Sequence, residues 1–357
     1  MEPSPRFWTG KRVCVTGGTG LLGYQLVEQL LELGARVRVL ALPPTEPHPI
    51  LKQQSVAKIF ADVRDIRVVQ QAVADCDVVF HTAGIVAMWR SERETMWDVH
   101  VEGTRNVLKA ARPDARVVHT SSSVTLGGSQ VPEERDEESQ FELHGLRVGY
   151  VHAKRASERL ALEAALAGQD VVVTNPAYMV GPGDHGRSVM GRFCTRFWKG
   201  RVLVIPPGGF SLVDVRDSAR GHLLAAEHGQ RGRQYILGGE NHTFGQFIGL
   251  LAEAGGLSPR QLPEIPRWAL LVLATISEAR AKVRRKEPYP SYQHVELSRY
   301  FWYYRSDRAA LELGYHFRPL SACLYDTYRW YFSLGELGLR RLNRWWMRPN
   351  GSLEQAA

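Results

Sequence analysis

The stretch VCVTGGTGLLGYQLVEQLLELG, residues 13–34, decides the fold. It opens as an apolar, β-branched run of strand character and passes through a cluster of glycines. It closes with Leu22, Leu26 and Leu30 on one helical stripe that stops at Gly34. Gly18, Gly20 and Gly23 fit the G-x-G-x-x-G pattern of a dinucleotide-binding turn, in the context that pattern requires, between a buried strand and an amphipathic helix. Without a Cβ, glycine lets the backbone approach a pyrophosphate, whose charge is met by unpaired N–H groups at the helix N-terminus. The plain alternative is an ordinary strand-to-helix turn. No Gly-Lys-Ser/Thr follows, which excludes a P-loop.

Outward from this unit, β-branched runs alternate with helical patterns. RVRVLA, AKIFAD, DVVFHTA, RVVHTSS and DVVVTNP read as further strands, and VHVEGTRNVLKAARP as a helix stopped at Pro113. Continuous apolar strands are what burial on both faces demands. The expected fold is therefore α/β, a Rossmann-type doubly wound parallel sheet with a smaller, interleaved C-terminal substrate domain. Residues 9–180 are assigned to the dinucleotide-binding domain, with a return segment near 210–238 where FSLVDVRDSARGHLLAAEHG reads as strand and helix. Residues 181–209 and 239–345 are assigned to the substrate domain and 346–357 to a tail. The acidic loop EERDEE, 133–138, reads as solvated surface.

A chain of 357 residues with 44% hydrophobic content can bury a sizeable core. Its net charge of +8 is spread along the chain without zinc-finger spacing or an aromatic RNA-binding motif, which argues against nucleic acid as a partner. Cys14, Cys76, Cys194 and Cys323 lie far apart and read as free thiols in a reducing compartment, and no metal site is expected. The opening MEPSPRFWTGKR lacks the apolar segment of a signal peptide, and WALLVLATI, 268–276, is too short to cross a bilayer. A cytoplasmic location is the expectation. Near the C-terminus Trp330, Trp345 and Trp346 stand among Arg340, Arg341, Arg344 and Arg348. Contact with an anionic membrane surface is one reading; a helix packed on the substrate domain with solvated arginines is the preferred one.

TGGTGLLG at 16–23, HTAG at 81–84, TSSSVTLGG at 120–128 and YVHAK at 150–154 occur in the order of the extended short-chain dehydrogenase/reductase family, also called the NAD-dependent epimerase/dehydratase family, which the chain resembles. NPAYMVGPGD at 175–184 and the segment 213–241 are similar to its dihydroflavonol-reductase-like and hopanoid-associated sugar epimerase-like branch. The resemblance covers roughly residues 10 to 332. It implies Tyr150 as acid/base, Lys154 as the group that holds the nicotinamide ribose and lowers the tyrosine pKa, and Ser123 as donor to the substrate oxygen, with Ser122 as the fallback. A phenol unperturbed at about 10 is a poor base at neutrality, so a neighbouring ammonium is chemically apt. The resemblance further implies NAD(P) on Gly17, Gly18, Thr19, Gly20, Leu21, Leu22 and Gly23, adenine contacts from Asp62 and Val63, cofactor-lining Thr82, Ala83 and Gly84, and Pro176 beside the nicotinamide. His100 stands where the family often has asparagine, so the usual proton relay is not carried over.

After the second strand there is neither an acid for a ribose hydroxyl nor an arginine at Leu42, and Arg36 and Arg38 are near in sequence, which tilts the choice to NADP(H). Nucleotide-sugar enzymes of the family generally carry an arginine where this chain has Asn175-Pro176. Met88, Trp89, Tyr178 and Met179, with Phe193, Phe197 and Trp198, suit an apolar ring substrate. The expected activity is hydride transfer between nicotinamide and a ketone or secondary alcohol of a flavonoid-, sterol- or terpenoid-like molecule, with Met88, Trp89, Ser123 and Tyr178 facing it. Alternatives are a sugar-nucleotide epimerase or dehydratase and a non-catalytic NAD(P)-binding regulator. A homodimer is an option, as relatives often pair.

Overall fold

The computed structural model describes residues 1–44, 48–89, 92–258, 262–285 and 287–337. A short helix α1 (Pro5–Trp8) leads into β1 (Arg12–Thr16), the glycine turn and α2 (Leu21–Glu32). There follow β2 (Arg36–Ala41), β3 (Ala57–Phe60), α3 (Ile66–Val73), β4 (Val78–His81), α4 (Arg93–Ala110), β5 (Arg116–Thr120) and β6 (Glu134–Arg135). The chain continues through α5 (Gly149–Leu166), β7 (Val171–Pro176), β8 (Tyr178–Val180), α6 (Val189–Trp198), β9 (Gly209–Asp214), α7 (Val215–His228) and β10 (Gln234–Leu237). The remainder is β11 (Glu240–Thr243), α8 (Phe244–Ala254), α9 (Arg267–Arg284), α10 (Tyr292–Leu297), β12 (Phe301–Tyr304), α11 (Asp307–Leu313) and α12 (Leu320–Ser333).

The Rossmann-type expectation holds. Seven parallel strands lie in the order β10-β7-β5-β4-β1-β2-β3. Chain direction across the sheet reverses between β1 and β4, and in such sheets ligands bind beyond the carboxyl ends of the strands at that switch point. Both faces are covered. Leu22, Leu26 and Leu30 of α2 pack with Val15, Val39 and Leu223 on one side; Val69, Val107 and Ala161 pack with Val79 and Val173 on the other. That two-sided cover is why the strand sequences are apolar without alternation.

A second sheet runs β11-β9-β12-β6, with β8 also paired to β9. The chain first reaches it at β6 and returns to it directly after Pro176, at Tyr178–Val180. The segment near 210–238 is divided between the two sheets: Gly209–Asp214 pairs in the small one, whereas β10 adds an outer strand beside β7. EERDEE is not simply solvated. Glu134–Arg135 pairs with β12, Arg305 donates to Asp136 at 2.7 Å, and Glu137, with its side chain 3% exposed, accepts from Ile236 N at 2.8 Å. Charge density in the sequence could not show that these acids meet cations and a backbone donor on elements far along the chain.

The four cysteines are free and buried. Among the described residues no helix is long and apolar enough to cross a membrane, and no group of acids, histidines and cysteines is arranged to hold a metal. Trp345, Trp346, Arg340, Arg341, Arg344 and Arg348 lie outside the described residues; Trp330 is on α12, its ring edge-on to His185 at 5.2 Å.

Candidate functional site

The glycine turn is pressed against the end of β4. Gly17 has φ +71°, and a Cβ there would stand 2.8 Å from Ala83 Cα; at Gly23 a Cβ would overlap the Gly17 carbonyl oxygen. Gly20 caps α2 without a side-chain hydrogen bond, so no side chain competes there for the first-turn N–H groups over Leu21, Leu22 and Gly23. Gly18 lies over Val39, where a Cβ would come within 2.7 Å of a methyl. The loop after β8 reaches over this turn: Gln25 Nε2 donates to Pro182 O at 3.0 Å, and the rings of Tyr24, His48 and His185 meet edge-on with centroids 4.9 to 5.4 Å apart. His48 faces the Thr19 backbone, and burial lowers its pKa to about 4.

The adjoining expected contacts fall into two groups. Thr82 Oγ1 donates to Thr16 O at 2.6 Å and Ala83 N donates to Thr16 Oγ1 at 3.1 Å, which pins the loop after β4 across the switch point. Asp62, by contrast, is engaged: Arg64 donates to it from N at 2.9 Å, Nε at 3.0 Å and Nη2 at 2.7 Å, and this holds its carboxyl below the usual range. Val63 is 5% exposed, packed under Gly103 of α4. The arginines that tilted the choice toward NADP(H) are placed elsewhere. Arg36 opens β2, roughly 16 Å of strand from its carboxyl end. Arg38 Nη1 donates to Ala72 O at 2.9 Å and pairs with Asp75 at 2.5 Å. Leu42, just past β2, is 57% exposed.

Tyr150 and Lys154 occupy the first turns of α5, one turn apart. Lys154 is 6% exposed and donates from Nζ to Thr120 O, at the end of β5, at 2.9 Å. Burial pushes this amine down to about 8, with Glu158 opposing. The half-buried Tyr150 phenol is raised by burial, and the Ser122 hydroxyl is the group that opposes the rise. The expectation that Lys154 lowers the tyrosine pKa is therefore not met in the free protein: burial dominates, the lysine is turned to a carbonyl, and the phenol is protonated at neutral pH. Of the two serines, Ser122 acts on Tyr150. Ser123 Oγ is buried without a hydrogen-bond partner, near the Tyr304 hydroxyl, which itself donates to Gly127 O at 2.9 Å.

Buried polar residues surround this pair, and of them Glu158 and His222 were not singled out from the sequence. Glu158 continues the i, i+4 step of Tyr150 and Lys154 along one face of α5, a periodicity visible in YVHAKRASE. Its Oε2 accepts from Thr125 Oγ1 at 2.8 Å and Asn175 Nδ2 at 2.6 Å, which ties the helix to the Ser122–Thr125 turn and the end of β7. His222 Nδ1 donates to Ser218 O at 2.7 Å, so its Nε2 accepts from Thr120 Oγ1 at 3.1 Å; burial lowers its pKa to about 4. His81 bridges Thr16 and Thr104 at 2.8 and 3.0 Å. His100 donates from Nε2 to Ile85 O at 2.9 Å and stands edge-on to Tyr150 at 5.8 Å; burial keeps it neutral. A Cβ on Gly84 would fall 2.5 Å from the His100 ring, so Gly84 makes room for it.

On the side of the second sheet, Tyr178 faces Tyr150, and burial, then the neighbouring phenol, raise its pKa. Pro176 is buried at the end of β7. Met88, Phe197 and Trp198 are 5%, 4% and 4% exposed within the apolar core there, and Trp198 Nε1 donates to Leu251 O. These three, expected at a substrate, are mainly framework; Trp89 is less buried.

The sequence model of the NAD dependent epimerase/dehydratase family matches residues 13–238. A putative dihydroflavonol 4-reductase of Synechocystis sp. is 33% identical over 336 residues, 92% of this chain and 97% of the relative. Sterol demethylase protein B of Methylococcus capsulatus is 33% identical over 327 residues, 90% of this chain and 98% of its own length. Among solved structures, that of gox2253 superposes with a TM-score of 0.78 at 28% identity, covering 92% of this chain and 99% of the other.

Proposed function

We propose that this chain, which belongs to the NAD dependent epimerase/dehydratase family, reduces a ketone on an apolar, ring-type substrate of flavonoid, sterol or terpenoid character to the secondary alcohol. Enzymes of this extended short-chain type depend on NAD(P), and the residues present fit the group. The turn Gly17–Gly23 is folded so tightly that a Cβ at Gly17, Gly18 or Gly23 would strike Ala83, Val39 or the Gly17 carbonyl, which keeps the backbone bare for a pyrophosphate; α2 opens without a side-chain cap, and Ser123 Oγ is buried without a partner. Gly17 to Gly23 would hold the pyrophosphate, Thr82 to Gly84 the middle of the molecule, Lys154 the ribose and Pro176 the nicotinamide. When bound, the reduced nicotinamide supplies the hydride.

The observation that carries the reading is the pair itself, a phenol kept protonated by burial with a cationic amine one helical turn away. Negative charge growing on the substrate oxygen needs a donor and then a proton. Tyr150 Oη gives the proton, and the Ser122 hydroxyl supports the phenolate that is left. Lys154, below its pKa of about 8 at neutral pH, supplies positive charge at the moment the phenolate forms. Glu158 holds the serine turn and the lysine-bearing helix in register. Two relatives whose names include dihydroflavonol and sterol support a fused or aryl ring as the substrate. So does the Tyr178 ring, partly exposed beside Tyr150. For the dinucleotide, NADP(H) is favoured because exposed Leu42 after β2 sets no carboxylate against a 2′-phosphate.

The test is to titrate NADH and NADPH separately by fluorescence and then follow oxidation of the preferred one with a panel of aromatic and alicyclic ketones. Cofactor loss matched by alcohol formation is expected. Turnover confined to nucleotide sugars, with no net loss of reduced cofactor, would contradict the proposal.

A further inference from the structure

Helix α9 (Arg267–Arg284) is attached to the protein along one side only. Leu270 and Ala274 are buried with Val295 against Ile265 and Leu271. Among the described residues nothing covers the other side, where Trp268 is 70% exposed, Val272 52%, Ile276 45% and Val283 86%. Their spacing places them on one stripe at the α-helical repeat, about 22 Å long at about 1.5 Å per residue. Single exposed apolar side chains are ordinary, but a stripe along a whole helix marks a contact surface.

The charge around the stripe says what kind of contact. Arg280, Lys282, Arg284 and Arg285 are exposed at one end and Arg267 at the other. The one acid of the helix, Glu278, is turned inward and accepts from Tyr292 N at 2.9 Å, and Arg267 pairs with Glu296 at 2.7 Å. No exposed carboxylate therefore stands on the helix to repel an anionic surface. An apolar stripe flanked by basic residues is the pattern of a helix lying in the plane of a lipid interface. Its position matters as well. Glu278 holds the start of α10, and Gln293 of α10 accepts at Oε1 from Gly149 N, the residue before Tyr150, at 3.0 Å.

We propose that α9 docks this protein on an anionic lipid bilayer, with Trp268, Val272, Ile276 and Val283 in the acyl boundary and Arg280, Lys282 and Arg284 among the headgroup phosphates. Through α10 the docked helix is joined to Gly149, the residue before Tyr150. Docking stands on the exposed face and its charges, so it does not depend on which ketone is reduced.

The test floats the full chain with vesicles of phosphatidylcholine alone and of phosphatidylcholine mixed with phosphatidylglycerol. Binding to the mixed vesicles, weakened by salt, is expected. Val272→Ser with Ile276→Ser, and separately Arg280→Glu with Lys282→Glu, should each lower the bound fraction roughly ten-fold or more while circular dichroism and cofactor affinity stay unchanged. Wild-type protein that fails to float overturns the proposal. Flotation indifferent to both variants also overturns it, and would assign membrane contact to another segment, such as residues 338–357. A wild-type dimer that the serine variant converts to monomer, with no vesicle binding by either, would assign the stripe to a second copy instead. The readout is binding, so its failure leaves the reductase proposal standing.

Discussion

Lys154→Met should stabilise the protein at neutral pH while removing its catalysis. Burial pushes the Lys154 amine from 10.5 to about 8, and each unit corresponds to about 1.4 kcal/mol. Keeping the cation inside the fold at about pH 7 thus costs about 3 kcal/mol relative to the unfolded chain. The folded pKa is the lower one, so between about pH 8 and 10.5 the unfolded chain binds more protons than the native one, and wild-type stability climbs with pH across that window. Methionine occupies similar volume without the charge. It forfeits the charge-assisted bond to Thr120 O, worth about 1.5 kcal/mol, and leaves Glu158 without its neighbouring cation. The net expectation is a variant more stable by about 1–2 kcal/mol at about pH 7, an advantage that shrinks by about 2 kcal/mol on going to about pH 9.5. Urea unfolding followed by tryptophan fluorescence at the two pH values measures both quantities. A stability difference that does not change with pH would refute the reasoning, since it would mean that Lys154 is not held at a depressed pKa.

Gly23→Ala puts a methyl into the Gly17 carbonyl; dinucleotide affinity by fluorescence titration should fall at least roughly ten-fold, with a stability loss of about 1–3 kcal/mol, and unchanged affinity would count against the turn as the pyrophosphate cradle. Ser122→Ala removes the hydroxyl that opposes burial at Tyr150 and should lower kcat by roughly a hundred-fold, whereas Ser123→Ala, whose Oγ is unpaired in the free protein, should act mainly on KM; steady-state kinetics of the two separate the roles. Glu137→Ala leaves Ile236 N–H unpaired inside and should cost about 1–3 kcal/mol in urea unfolding without changing kcat; an unchanged unfolding midpoint would return EERDEE to plain surface.

The large sheet was legible because its strands are apolar without alternation and its glycine turn stands between a buried strand and an amphipathic helix, the context a dinucleotide-binding turn requires. Tyr150 and Lys154 were legible through the resemblance of YVHAK and the motifs before it to the family's pattern; helical periodicity adds only that residues four apart share a face. What lay hidden depends on contacts between distant parts of the chain. Glu137 is a surface acid by composition, and only the register of β10 turns it into a buried acceptor for Ile236. The choice between Ser122 and Ser123 turns on where the chain leaves extended backbone: Ser122 is still extended, whereas Ser123 opens the tight turn Ser123–Leu126. Arg36 and Arg38 were near the cofactor in sequence, yet strand direction carries the first to the wrong end and Asp75 holds the second. Met88, Phe197 and Trp198 have pocket chemistry, but apolar side chains serve a core equally well, and packing gave them to the core.

In the proposed reaction Tyr150 delivers a proton beside a nicotinamide held by the glycine turn. Tyr150→Phe tests it most directly, with reduced-cofactor affinity measured by fluorescence and single-turnover ketone reduction followed on the same sample. Affinity within roughly two-fold of wild type together with a rate lower by roughly a thousand-fold or more is the required result. A variant that still reduces the ketone at a rate close to wild type would contradict the account.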